Sequence, residues 1–154
     1  VLKVESCNES LRGQAVGNAL YGLQGMSSEQ SEVREILLAL VPKVGNCKEG
    51  LSAQELGNAL YGLQGMNSKY SEVCGILAAL VPKVESCNEA LHAQQIGNAL
   101  YGLQGIKSGC ESFNVFGFLY HQLNNLADNT VNFQSLSITD LVSLSQNVVM
   151  TLPI

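Results

Sequence analysis

The residues able to ligate a metal or to act as nucleophiles are few in this chain, and their spacing argues against both uses. Cys7, Cys47 and Cys87 lie forty residues apart, Cys74 and Cys110 fall outside that register, and no C-x-x-C pair or histidine at zinc-ligand spacing accompanies them. Small buried thiols are the expectation, and an odd cysteine count without paired spacings points to a reducing compartment. The two histidines, His92 and His121, fall in different segments and have no repeating partner. There is no G-x-S-x-G, no Walker loop and no H-E-x-x-H, so the sequence reads as that of a protein without catalytic function, metal or cofactor.

Three other residue sets recur every forty residues and suit recognition better than catalysis. Tyr21, Tyr61 and Tyr101 would form a ladder, and a ladder of aromatics can hold successive bases or a flat pigment. Their place in the most apolar segment favours core packing instead, with the hydroxyl reaching a rim partner. Asn18, Asn58 and Asn98 could present amides to a ligand; a buried amide bonded to a neighbouring turn is the favoured role, because an unpaired one costs about 1 to 3 kcal/mol. The third set varies between copies: Arg12, Ser52 and His92, then Ala15, Glu55 and Gln95. Repeats that read RNA distinguish bases by residues varying at fixed exposed places. Drift at exposed capping positions gives the same pattern, and is favoured.

The element that must position these sets is a repeat. The stretch GNALYGLQG occurs unchanged at 17–25, 57–65 and 97–105, and residues 11–50 and 51–90 agree without gaps at 26 of 40 positions. A period near forty with this self-similarity is the mark of a solenoid. Within each copy two helical segments are expected. The first is clearest in LSAQELGNALYGLQGM (51–66), where Ser52 and Glu55 have capping-box spacing, Leu51 and Leu56 can close a hydrophobic staple, and Gly65 supplies a left-handed stop. Apolar or small residues surround this segment, which predicts a buried helix, with Gly17, Ala19 and Gly22 permitting close helix approach.

The second helix, SEVREILLALVPKV (31–44), carries Val33, Ile36, Leu37, Leu40, Val41 and Val44 as one apolar stripe, with Glu32, Arg34, Glu35 and Lys43 mostly off it. Pro42 and Pro82 fall inside this pattern and predict a kink or an early helix end. In the third copy the corresponding helix, 111–126, is more aromatic. At 100° per residue Phe113, Phe116 and Tyr120 share the inward face while Phe118 is rotated away. Phe118 is therefore either a partner contact or covered by the segments that follow.

The expected organisation is the end of a preceding repeat (1–10), repeat 1 (11–50), repeat 2 (51–90), a divergent repeat 3 (91–126), a linker (127–135) and the first helix of a fourth, terminal repeat (136–154). VLKVESCNES at the start matches VPKVESCNEA at 81–90, which suggests a piece of a longer repeat protein. A net charge of −5, with Arg12 and Arg34 the only arginines, disfavours a strongly electrostatic nucleic-acid binder. No run approaches the roughly 18 to 20 apolar residues needed to cross a bilayer, so no transmembrane segment is expected.

The pattern L-x-x-Q-x-x-x-N-x-L-x-x-L, present as Leu51, Gln54, Asn58, Leu60 and Leu63 and at both equivalent sets, resembles the octotricopeptide and heptatricopeptide class of helical repeats that often accompany a RAP domain. Tyr61 and Gly62 stand where that class favours Trp and Ala, and no RAP-type domain is present. The resemblance implies an all-α, right-handed α-solenoid of stacked antiparallel helical hairpins, with a place in chloroplast or mitochondrial RNA metabolism or in an organellar assembly. The expected function is that of an intracellular scaffold or linker subunit binding protein partners in a larger complex. The alternative, from the same resemblance, is an RNA-binding repeat module in organelle gene expression. Candidate partner-binding residues are Arg12, Ser52, His92, Ala15, Glu55, Gln95 and Phe118.

Overall fold

The computed structural model describes residues 6–7, 9–107 and 112–126, and within these it is all-helical. Six helices follow in order: α1 (Gly13–Tyr21), α2 (Ser31–Gly45), α3 (Ala53–Tyr61), α4 (Ser71–Glu85), α5 (Ala93–Gly102) and α6 (Ser112–Leu126). The expected linker at 127–135 and helix at 136–154 lie outside the described residues, as does Cys110.

Like helices of successive repeats pack on one another. Helix α3 lies between α1 and α5, α4 lies against α2 and α6, and α5 also meets α6. One core runs through both layers. Leu20, Leu60 and Leu100 of the first helices and Leu37, Ile76, Leu77 and Leu119 of the second are buried in it, each worth about 1.5 to 3 kcal/mol relative to an exposed side chain.

The first helices are shorter than the sequence pattern predicts. Each of the first two stops at its tyrosine, and tight turns follow it: Leu63 donates to the Leu60 carbonyl (3.1 Å), Gln64 to Tyr61 (3.2 Å) and Met66 to Leu63 (2.9 Å). Gly65 is not the left-handed stop. Its φ is not positive, and it is glycine because a Cβ there would collide with the Met26 carbonyl of the preceding repeat. Gly105 meets the Met66 carbonyl in the same way.

The kink or early end expected at Pro42 and Pro82 does not occur, for α2 and α4 continue three residues past each proline. Proline removes the N–H that would bond four residues back. The carbonyls it frees belong to Leu38 and Ala78, both exposed residues, so the loss falls where water can replace the bond. The end of each helix is then closed by Asn46 donating to Pro42 (3.0 Å) and Ser86 to Pro82 (3.1 Å).

Repeats are also joined by polar bonds that recur with the period. The buried Ser28 hydroxyl accepts from Asn67 N–H (2.9 Å) and the Ser68 hydroxyl from Lys107 N–H (2.8 Å), while Ser28 N–H donates to the Gly65 carbonyl (3.2 Å). Within each repeat Glu49 accepts from Gly13 N–H (3.0 Å) and Glu89 from Ala53 N–H (2.8 Å), so each carboxylate at the end of a repeat caps that repeat's own first helix. Lys43 donates to the Cys7 carbonyl and Lys83 to that of Cys47, one repeat earlier in each case.

Candidate partner-binding surface

The six variable positions lie at the N-termini of the first helices. Arg12, Ser52 and His92 are the three N-cap residues. Ser52 and Glu55 form a reciprocal capping box, with Ser52 N–H to Glu55 Oε2 at 2.8 Å and Glu55 N–H to Ser52 Oγ at 3.3 Å. Gln95 Oε1 accepts from His92 N–H at 2.7 Å, and Arg12 makes no side-chain cap bond. Glu55 and Gln95 also lie at the joints, because a Cβ on Gly17 would fall 3.2 Å from the Glu55 Cα and one on Gly57 3.3 Å from the Gln95 Cβ. Ala15 is half-buried. The structure thus brings these residues into one row. Within it Ser52, Glu55 and Gln95 have capping and packing duties, while the Arg12 and His92 side chains are exposed.

Tyr21, Tyr61 and Tyr101 do form a ladder, and it is a surface ladder, which corrects the expectation of core packing. Centroids are 5.8 Å apart for Tyr21 and Tyr61 and 5.7 Å for Tyr61 and Tyr101, with planes within 26° and 24°. Tyr21 is 39% exposed and the other two are half-buried. The first helix therefore keeps an open strip, and Asn18 is exposed on it while Asn58 and Asn98 are half-buried. No side-chain hydrogen bond holds these three amides among the described residues, so the expected buried amide is not what the structure has. Both faces of Tyr61 are taken by its neighbours. A base inserted between two rings would need two stacking distances of roughly 3.4 Å each, more than the ladder leaves.

The cations are largely committed to holding repeats together. Lys83 is buried and donates to the Cys47 and Glu49 carbonyls, and Lys43 is half-buried against Cys7. Arg34 donates to the Ser28 carbonyl (2.6 Å) and the Glu29 carbonyl (3.0 Å), sits 4.5 Å over the Tyr70 ring and pairs with Glu72 at 4.0 Å. Lys69 pairs with Glu29 at 2.8 Å, and Tyr70 Oη donates to the same carboxylate at 2.7 Å. The bonds from Lys69 and Tyr70 hold Glu29 below the ordinary carboxylate range, and the bond to Glu29 raises Lys69. Lys69 is nonetheless exposed, as are Arg12, Lys48 and Lys107, which make no ion pair among the described residues.

Residues that sequence reasoning missed are apolar and exposed: Leu38 at 61% and Met26 at 41%. Leu38 stands on the outer face of α2 with Pro42, and Ala78 and Pro82 occupy the same places on the outer face of α4. The available signal was that Leu38 lies off the apolar stripe of its helix, which left an aliphatic side chain with no core to enter. Phe118, by contrast, is half-buried and packs against the core in which Phe116 is buried; Tyr120 is half-buried, and the Phe113 side chain lies outside the described residues. Cys47 is a buried free thiol, but Cys7 is exposed and Cys87 half-buried. Cys74 is disulfide-bonded, which corrects the expectation of thiols throughout and removes the argument for a reducing compartment. Among the described residues no three His, Cys, Asp or Glu side chains gather as a metal site, and no helix is long and apolar enough to cross a membrane. The chain matches no family model, no curated protein and no solved structure.

Proposed function

We propose that the chain is a segment of a right-handed α-solenoid of stacked antiparallel hairpins, serving as a non-catalytic scaffold or linker that binds protein partners within an organellar assembly. The observation that carries this reading is the outer face of the second helices. Leu38, Pro42, Ala78 and Pro82 are exposed there without any free cation between them, and an exposed aliphatic side chain on a polar-rimmed face suits a protein interface. The RNA-binding alternative is disfavoured by the same chemistry: Arg34, Lys43, Lys69 and Lys83 are engaged within the protein, and the gaps between the tyrosine rings are too narrow to admit a base.

The test compares the protein with its Leu38→Glu variant, each used to isolate partners from organelle extract. Stoichiometric recovery of the same protein subunits with the wild type and their loss with the variant, at equal melting temperature, is the expected result. Submicromolar affinity for single-stranded RNA at physiological salt, with a steep salt slope, would overturn the reading.

A further inference from the structure

We propose that the surface made by Tyr21, Gly22, Gly25 and Met26 is the receiving half of a repeat-to-repeat joint and takes one further hairpin of this same repeat, joined ahead of Val1. The inference rests on the stacked-hairpin reading, and goes beyond it by assigning one surface and its occupant.

The joint is seen twice within the chain, and both times with the same chemistry. A Cβ on Gly62 would collide with the Leu20 carbonyl and one on Gly102 with the Leu60 carbonyl, while Gly65 and Gly105 meet the Met26 and Met66 carbonyls. Each of these pairs belongs to a GNALYGLQG stretch, and the pair in the first copy is Gly22 and Gly25. Among the described residues a Cβ on Gly22 would meet only carbonyls of its own helix, at 3.4 and 3.5 Å, and one on Gly25, whose φ is +78°, would meet nothing within 4 Å.

Three further differences concentrate on this face. Met26 is 41% exposed whereas its counterpart Met66 is buried, and Tyr21 is the most exposed rung of its ladder. In the second repeat the Gly65 carbonyl accepts from Ser28 N–H and the Asn67 N–H donates to Ser28 Oγ; the equivalent Gly25 carbonyl and Ser27 N–H have no hydrogen-bond partner among the described residues. The occupant must therefore offer two main-chain carbonyls to the glycines, a serine hydroxyl to Ser27 N–H and an N–H to the Gly25 carbonyl. The turn from Leu60 to Ser68 of this repeat carries all four groups.

Continuity with the chain fixes which hairpin this is. Lys43 donates to the Cys7 carbonyl as Lys83 donates to the Cys47 carbonyl, so Cys7 already occupies the place of a preceding repeat's closing loop. Residues 1–10 align with 81–90, and a copy of residues 51–80 placed directly before Val1 keeps the forty-residue period.

The experiment makes that extended chain and compares it with the 154-residue protein, each with and without Gly22→Leu. Extension should raise the midpoint of a single thermal transition by about 4 °C or more, on the scale of 2 to 4 °C per kcal/mol for a chain of this size, and should slow exchange of the Ser27 amide by at least tenfold. Gly22→Leu should leave the unextended protein within about 2 °C of its midpoint and remove the gain from the extended one. An added hairpin that melts separately, or a gain indifferent to Gly22→Leu with Ser27 exchange unchanged, would overturn the assignment. So would a concentration-dependent dimer of the unextended protein that Gly22→Leu abolishes, since the occupant would then be a second copy. All readouts are stability, exchange and mass, so failure here is separate from failure of the Leu38 face to bind a partner.

Discussion

Gly62 packs directly on the carbonyl of Leu20, forty-two residues earlier in the chain and one repeat away, at a distance that leaves no space for a Cβ. The same fit of Gly102 on Leu60 shows that the glycines inside GNALYGLQG are contact surfaces. At the ends of the first helices they permit the backbone approach that brings like helices together.

Gly62→Ala should therefore destabilise the protein by about 1 to 3 kcal/mol or more, because the carbonyl it meets is fixed main chain rather than a flexible side chain. Gly117 is the control. It lies exposed within α6 with nothing among the described residues near a Cβ, so Gly117→Ala should stabilise by up to about 1 kcal/mol. Chemical denaturation of both variants checks the pair, and equal effects would deny that the joint sets the requirement.

Lys83 is a buried cation whose ammonium serves the Cys47 and Glu49 carbonyls. Replacing it with Met keeps the volume and leaves those acceptors unpaired, which should cost about 1 to 3 kcal/mol. Lys48→Met, at an exposed position, should stay within about 0.5 kcal/mol of the wild type. Comparable losses in the two variants would show that the Lys83 bonds contribute nothing.

The Glu29, Lys69 and Tyr70 cluster predicts a pH dependence with a definite sign. Glu29 lies below its ordinary value of 4.5 in the folded state, so its contribution is present above that value and is lost as pH falls through the folded pKa. Lys69 is raised above 10.5, so its contribution is present below that value and is lost as pH rises through the folded pKa. The difference in melting temperature between the wild type and Glu29→Gln should be constant near neutrality and shrink below about pH 4.5, and added salt should shrink it at any pH, since the pair is exposed. A difference that widens on acidification would refute the assignment.

A peptide of residues 51–90 should not melt cooperatively, because α3 and α4 make their close contacts with like helices of the neighbouring repeats. Circular dichroism against temperature decides this. A sigmoidal transition would show that one hairpin can bury its own first helix.

Phe118→Ser should lower stability by about 1 to 3 kcal/mol, because the ring packs against the core. An unchanged melting temperature together with loss of a partner would return Phe118 to the interaction surface.

What the sequence determined by itself was the helical class, the forty-residue period and the assignment of core residues, because periodic burial of Val33, Leu37, Leu40 and Val44 is a local property of a 3.6-residue helix. The capping box of Ser52 and Glu55 was legible for the same reason, being closed within one turn. Tertiary structure decided everything that depends on what a neighbouring repeat presents. It decided that Gly65 is glycine for contact with Met26 and not for its φ, since no local pattern carries the position of a carbonyl thirty-nine residues away. It placed the tyrosines in a stacked surface row, since a helix of apolar and small residues is buried only on the sides its neighbours cover. It also separated free from committed charge: Arg34, Lys43, Lys69 and Lys83 are ordinary surface cations in the sequence, and become joints between repeats only when the chain stacks and sets carbonyls, a carboxylate and the Tyr70 ring against them.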